Sequence, residues 1–209
     1  MSTLLHIDSS PLGDASITRS LSSEFVQNWK EASPRGEIVT RDLTKTKFTG
    51  IDAQWIGAAY TPPDSLTPGQ RELLALSDTL IAELERADEW VLGVPMHNFS
   101  VPAVLKLWLD QVVRAGKTFA YVKGVPTGLL KNKKAHIFIA SGGVYSPHSP
   151  MASLDFVQPY LRAVFGFMGV TDLSFINAGG VAAIRPGKMD RQTFLEPHFG
   201  SIRAQFQSA

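Results

Sequence analysis

Short apolar runs alternate along this chain with longer stretches whose apolar residues recur every three or four positions. Residues 3–8, Thr-Leu-Leu-His-Ile-Asp, form an apolar run that ends in turn residues and reads as a buried strand. Ser16 then stands at an N-cap position before a helical stripe of Leu21, Phe25, Val26 and Trp29. After the breaker Pro34-Arg35-Gly36, residues 37–43 alternate, with Ile38, Thr40 and Asp42 opposite Val39, Arg41 and Leu43, and predict a second strand. Leu73, Leu74, Leu76, Leu80, Ile81 and Leu84 make the next helical stripe, over residues 70–86. Residues 89–94 predict a third strand, stopped by Pro95. Pro102 opens a helix carrying Val104, Leu105, Trp108, Leu109, Val112 and Val113, on which only Lys106, Asp110 and Arg114, with Gln111, are expected to face water. A helix this apolar calls for burial on more than one side, in a core or at a subunit interface. Residues 135–140 predict a fourth strand, 153–168 a helix, 171–177 a fifth strand and 189–206 a last helix.

Some stretches break this rhythm. Residues 45–68 show no period and carry Gly50, Gly57, Pro62, Pro63 and Pro68, yet Trp55, Ile56 and Tyr60 argue against disorder. They predict an ordered excursion with some helical turns, either a surface loop anchored by its aromatics or a cover for a site or a partner. Residues 118–123 are short and aromatic and read as a small hairpin or arm, and the basic run at 131–134 reads as a solvated turn. The repeated strand–helix order implies a parallel sheet wrapped by helices on both faces. The fold class is therefore α/β, and for five strands the expectation adopted is a flavodoxin-like, doubly wound parallel sheet in the order 2-1-3-4-5.

Length and composition narrow the class further. At 209 residues the chain is read as one domain, 1–209. Hydrophobic residues at 44% and charged residues at 19% are globular values. Twenty Lys and Arg against nineteen Asp and Glu leave no basic footprint for nucleic acid. There is no cysteine, which excludes thiol nucleophiles, disulfides and cysteine zinc sites and fits a reducing, cytoplasmic compartment. The first residues lack a basic region followed by a long apolar run, so no signal peptide is expected, and no apolar stretch is long enough for a membrane span. His6, His97, His136, His148 and His198 form no metal-ligand pattern, and no G-x-S-x-G elbow exists. No G-x-G-x-x-G follows the first strand. Gly116-Lys117-Thr118 lacks the earlier glycine of a P-loop because residue 111 is Gln, and Gly187-Lys188 fails because Ala182 stands where the first glycine should be and Met189 follows the lysine.

In an open α/β sheet, ligands bind outside the carboxyl ends of the strands, at the switch in strand order. For this order the loops concerned are residues 9–18, 95–100 and 141–149. The first offers the hydroxyls of Ser9, Ser10, Ser16 and Thr18 just before a helix N-terminus, where free N–H groups and the helix dipole favour a phosphate dianion without a lysine or arginine. The alternative is an ordinary N-cap by Ser16 in a solvated loop. The second, Pro95-Met96-His97-Asn98-Phe99, mixes a thioether and an aromatic ring, which pack on a flat heteroaromatic face, with an amide that can donate to a ring carbonyl and accept from a ring N–H. His97 is either a substrate contact or a surface residue. The third, Ser141-Gly142-Gly143-Val144-Tyr145-Ser146, has adjacent glycines that let the backbone approach a ligand, or simply end the strand in a turn. Phosphate donors and ring-packing groups without acid–base machinery suit a bound cofactor that does its own chemistry.

These pieces combine with Arg114-Ala115-Gly116-Lys117-Thr118-Phe119-Ala120-Tyr121, Tyr160-Leu161-Arg162 and Gly166-Phe167-Met168-Gly169-Val170-Thr171-Asp172. Together with Ser10, Ser16-Ile17-Thr18 and Ala140-Ser141-Gly142-Gly143, they make a chain that resembles, over nearly its whole length, the FMN-dependent NADH-azoreductases, a flavodoxin-like family of quinone reductases. The resemblance implies FMN with its phosphate at Ser10, Ser16, Ile17 and Thr18, its ring against Pro95, Met96, His97, Asn98 and Phe99, and its edge at Ala140, Ser141, Gly142 and Gly143. It implies no catalytic side chain. The mechanism it implies is a ping-pong cycle in which flavin N5 takes hydride from NADH or NADPH and passes two electrons to a quinone or azo compound. It also implies a homodimer that buries the apolar helix at its interface, with the long loop of one subunit, and Phe119 and Tyr121, walling the other subunit's site. Tyr145 and His148 are further candidate substrate-lining residues. The family commonly has tyrosine where this chain has His97, and imidazole is smaller and can charge near neutral pH, so substrate range and pH response transfer less readily than flavin binding. A flavodoxin-type electron carrier without small-molecule turnover is the alternative, although such carriers tend to be shorter and strongly acidic, against a formal charge of +1 here. A flavin-free regulator on the same scaffold is a second rival.

Overall fold

The computed structural model describes residues 2–185 and 188–207. Its strands are β1 Thr3–Asp8, β2 Glu37–Asp42, β3 Glu89–Pro95, β4 Phe119–Val122, β5 Val125–Gly128, β6 Lys134–Ser141 and β7 Asp172–Gly179. Its helices are α1 Ile17–Ala32, α2 Ala53–Ala59, α3 Pro68–Arg86, α4 Ala103–Val112, α5 Val157–Met168 and α6 Arg191–Gln207. One five-stranded sheet runs β2-β1-β3-β6-β7 with every pair parallel, and β4 and β5 form a separate antiparallel hairpin. Counted over the sheet alone this is the order 2-1-3-4-5 of a flavodoxin-like fold.

The inner strands are apolar almost throughout because both faces of a parallel sheet are covered. Leu5, Ile7, Leu92, Val94, Ile137 and Ile139 meet one core, with Leu80, Trp108 and Phe165 from α3, α4 and α5. Leu4, Val91, Phe138 and Ala140 meet the other, with Phe25 and Ile202 from α1 and α6. The register pairs Asp8 with Gly93 and Pro95 with Ala140, so β1, β3 and β6 finish at one rim.

Residues 45–68 are ordered, as expected: Asp52 caps α2 by accepting from Trp55 N at 2.8 Å, and Trp55 and Ala58 bury against Leu74 of α3. The hairpin or arm expected at 118–123 supplies only the first strand of a hairpin, whose second strand, β5, runs on to Gly128. Several boundaries differ. Lys134 is the first residue of β6, paired with Glu89 and Asp172, rather than part of a solvated turn. The helix expected from residue 153 starts at Val157, because Asp155 Oδ1 accepts from the amides of Val157 (2.9 Å) and Gln158 (3.1 Å). The last helix starts at Arg191, after Asp190 Oδ1 accepts from Thr193 N at 2.9 Å. Gly187 lies outside the described residues.

The larger correction concerns α4. Lys106 and Asp110 do stay at the surface and pair at 2.6 Å. Gln111 and Arg114, expected to face water, are 1% and 6% exposed. Ser77 of α3 donates to Gln111 O at 2.6 Å and accepts from Arg114 Nη1 at 2.8 Å, while Arg114 Nη2 reaches Asp78 at 2.9 Å and Gln111 Nε2 reaches Thr49 O at 3.4 Å. A helix stripe marks which side is apolar, but α3 and the long excursion also cover the polar side. No helix of the described residues is long and apolar enough to cross a membrane.

Candidate functional site

The switch in strand order falls between β1 and β3, and the loops after β1, β3 and β6 adjoin there. Ser9 N and Ser9 Oγ both donate to Gly93 O, at 3.2 and 2.7 Å, and Met96 N donates to Ala140 O at 2.8 Å. The loops are thereby stitched to neighbouring strands.

In the first loop Ser16 caps α1: its Oγ accepts from Arg19 N at 3.2 Å and lies 3.0 Å from Thr18 Oγ1. One hydroxyl hydrogen lies between Ser16 and Thr18, which leaves the other free to donate outward. The amides of Ile17 and Thr18 open the helix, where intrahelical acceptors are missing, and they find none elsewhere among the described residues. The Ile17 side chain itself is buried in the α1–α6 core, so only its backbone faces the loop chemistry. Ser10, Ser16 and Thr18 are buried.

The loop carbonyls are taken up by two arginines. Arg19 donates to Ser10 O from Nη2 (2.9 Å) and Nε (3.2 Å) and also reaches Asp8 (3.2 Å) and Asp42 (2.9 Å). Burial raises the pKa of Asp42, but hydrogen bonds from Arg19 and Thr44 outweigh it and hold the carboxyl below its ordinary value. Arg191, from α6, donates to Asp14 O, Ser16 O and Ser20 Oγ. Beneath the loop, Ser22 donates to Asp8 Oδ1 at 3.1 Å, and His6 Nε2 lies 3.0 Å from Ser22 Oγ. A Cβ on Gly93 would stand 2.9 Å from Asp8 Oδ1 and 3.2 Å from Thr18 O, so glycine is what allows the first turn of α1 to lie on β3.

The second loop is a tight turn closed by His97 N to Ser100 O (2.9 Å) and Ser100 N to His97 O (3.0 Å). Asn98 and Phe99 both have positive φ, 48° and 71°. That pair matches a I′ turn, which asparagine tolerates and phenylalanine does not, and strain of this kind gathers at binding sites. In the third loop Ser141 Oγ donates to Gly143 O at 2.9 Å, and the amides of Gly180 and Ala182 hold Gly143 O (2.9 Å) and Gly142 O (3.2 Å). A Cβ on Gly142 would meet nothing closer than 4.0 Å. Its φ is not positive either. Nothing among the described residues demands glycine there.

Tyr145 meets Phe99 edge-on at 6.2 Å, which links the second and third loops. A cavity of about 170 Å³ lies among Met96, Ser141, Tyr145 and Asn177. A second, of about 540 Å³, lies among His97, Ser100, Lys106 and Tyr160. Burial pushes the Tyr160 phenol up, and the hydrogen bond to Asp110 pushes Lys106 up, so one stays protonated and the other charged.

A family model described as flavodoxin-like fold matches residues 2–197. A relative from Acidobacterium capsulatum named FMN-dependent NADH:quinone oxidoreductase is 53% identical over 203 residues, 97% of this chain and 98% of its own. Another from Burkholderia lata, named FMN-dependent NADH:quinone oxidoreductase 3, is 48% identical over 206 residues, 99% of this chain and all of its own. The chain belongs to this family. Among solved structures, an azoreductase from Bacillus anthracis superposes with a TM-score of 0.88 at 26% identity over the full length of both chains. An FMN-dependent NADH-azoreductase from the same species, crystallised in complex with FMN, superposes at 0.86 with 24% identity over 99% of each chain and shares the fold.

Within one chain of this quinone oxidoreductase family member, the rim gathers Ser10, Ser16, Thr18, Met96, Asn98, Phe99, Ser141, Gly142, Gly143 and Tyr145. It does not gather Phe119 and Tyr121. They sit on the hairpin at the far rim: Leu129 N donates to Thr118 O, Leu130 N donates to Met168 O at the end of α5, and Phe119 packs on Phe167 at 4.6 Å. His148 is exposed, in the turn closed by Ser149 N to Ser146 O at 2.9 Å, and does not line the 170 Å³ cavity. The residues that sequence reasoning missed are Arg19, Arg191 and Gly93. Arg19 carried a signal, three positions after a cap and facing two strand-end aspartates; Arg191 carried none.

Proposed function

We propose that the chain is an FMN-dependent NADH:quinone oxidoreductase that also reduces azo compounds, a single flavin-binding domain acting as a cytoplasmic homodimer. The observation that carries the reading is the first loop: two amides, at Ile17 and Thr18, with no acceptor among the described residues, beside one spare hydroxyl at a buried helix start. That is the donor set a phosphate dianion needs. The glycine at position 142, which the chain's own packing does not require, fits the same group approaching the third loop. Kinship at 53% identity with an enzyme so named supports a reductase over a plain electron carrier.

On this reading Ser10, Ser16, Ile17 and Thr18 hold the phosphate, Pro95, Met96, His97, Asn98 and Phe99 line the ring, and Ala140, Ser141, Gly142 and Gly143 meet its edge. The bound flavin supplies a two-electron hydride acceptor and donor between NADH and a flat substrate. The chain's own part is to bind, orient and shield. The strained Asn98–Phe99 turn presents an amide and a ring side by side, and Tyr145 backs the ring. A dimer is supported by the exposed Tyr60, Tyr121 and Phe156, and by the place of Tyr121 at the far rim, where it faces away from its own chain's site; Phe119 is buried against Phe167 of its own chain.

The test is to load purified protein with FMN, record its visible spectrum before and after NADH, and then add a soluble quinone. Bleaching by NADH followed by sustained turnover is expected. Bleaching without turnover means a carrier, and a protein that takes up no FMN refutes the reading outright. Sedimentation equilibrium tests the dimer.

A further inference from the structure

The loop before α1 is held from behind by a residue far away in the chain. Arg191 donates from Nη1 to Asp14 O (2.8 Å), and from Nη2 to Ser16 O (2.9 Å) and Ser20 Oγ (2.6 Å). Ser16 O also accepts from Ser20 N at 3.3 Å, so the arginine grips the carbonyl that begins the ladder of α1. A carbonyl and the N–H of the next residue belong to one rigid, trans peptide unit and point in opposite directions. Fixing Ser16 O therefore aims the Ile17 N–H away from the guanidinium, out of the loop. Ile17 N is one of the two amides at this helix start that lack an acceptor among the described residues. Arg191 itself has no carboxylate partner among the described residues, so its charge adds to the positive end of the α1 dipole. The planar fork, with two donors in fixed geometry, suits this two-carbonyl grip better than an ammonium.

We propose that Arg191 is a positioning residue for the phosphate end of FMN, coupling α6 to cofactor retention. The inference rests on the FMN reading above. Arg191 acts through Ser16 O and the Ile17 amide.

The test compares FMN with riboflavin, which lacks the phosphate. Apo-protein is titrated with each flavin and the quenching of flavin fluorescence gives Kd. Arg191→Ala is expected to raise the FMN Kd at least tenfold while the riboflavin Kd changes less than twofold. Arg191→Lys keeps the charge and loses the fork, and its FMN Kd falls between the two. Should Arg191→Ala not fold, the FMN-to-riboflavin ratio of Arg191→Lys decides. An FMN Kd within twofold of wild type, or an equal loss for both flavins, overturns the positioning role. Wild-type protein that binds neither flavin overturns the FMN reading itself, and this inference with it.

Discussion

Gly93→Ala offers the sharpest test of how the sheet presents the first loop. The backbone at residue 93 is ordinary strand, so alanine meets no conformational penalty there; only space is at issue. The new methyl would sit 2.9 Å from Asp8 Oδ1, 3.2 Å from Thr18 O and 3.3 Å from Thr18 C. Asp8 cannot swing aside freely, because Arg19 and Ser22 both hold it. The strain therefore falls on the first turn of α1, which must lift from β3. Overpacking of this kind costs about 1–3 kcal/mol. For a chain of this length that lowers Tm by roughly 2–4 °C per kcal/mol. Lifting the turn also displaces the Ile17 and Thr18 amides and the Ser16–Thr18 hydroxyl pair. If about 1.4 kcal/mol of phosphate binding goes with them, the FMN Kd rises roughly tenfold. Urea denaturation of apo-protein reads the first effect, and parallel titration with FMN and riboflavin reads the second. An unchanged urea midpoint together with an FMN Kd within twofold of wild type would refute the argument that this glycine exists to let α1 lie on β3.

Gly142→Ala is the counterpart: open space around its Cβ predicts less than about 0.5 kcal/mol change in apo-protein stability, whereas flavin affinity falls if a ligand approaches there; equal affinity would sink that idea. Thr18→Ala leaves the Ser16 cap on Arg19 N in place, so FMN binding is expected to weaken with little change in melting temperature. Ser16→Ala removes the cap as well and costs about 1 kcal/mol of stability, and identical melting curves for the two variants would count against this division of labour. At the opposite end of the sheet, the hydrogen bond from His136 holds the Glu89 carboxyl below its ordinary value, against desolvation, with the Trp29 indole assisting. A lowered native pKa gives stability that is present above the unfolded-state value of about 4.5 and is lost as pH falls through the lowered value. Glu89→Gln should therefore narrow the gap between urea midpoints measured at pH 7 and pH 3.5, and an unchanged gap would show that this carboxylate does not drive acid sensitivity.

The sequence alone determined the order of elements, the parallel doubly wound sheet, the Ser16 cap, and the loops after β1, β3 and β6 as the place where chemistry-bearing residues collect. Each of these depends on near neighbours: apolar periodicity, a hydroxyl before a helix, glycines after a strand. Periodicity reports which side of an element is apolar, not what covers its polar side, and so Gln111 and Arg114 were assigned to water although Ser77 and Thr49 bury them. Packing in three dimensions makes Gly93 a spacer, puts Phe119 and Tyr121 at the far rim, and brings Arg191 to Asp14 across 177 positions of sequence. Hydrogen bonds and steric limits act through space, and where the chain returns to the same point is set by packing the two cores on either face of the sheet, which no local pattern records.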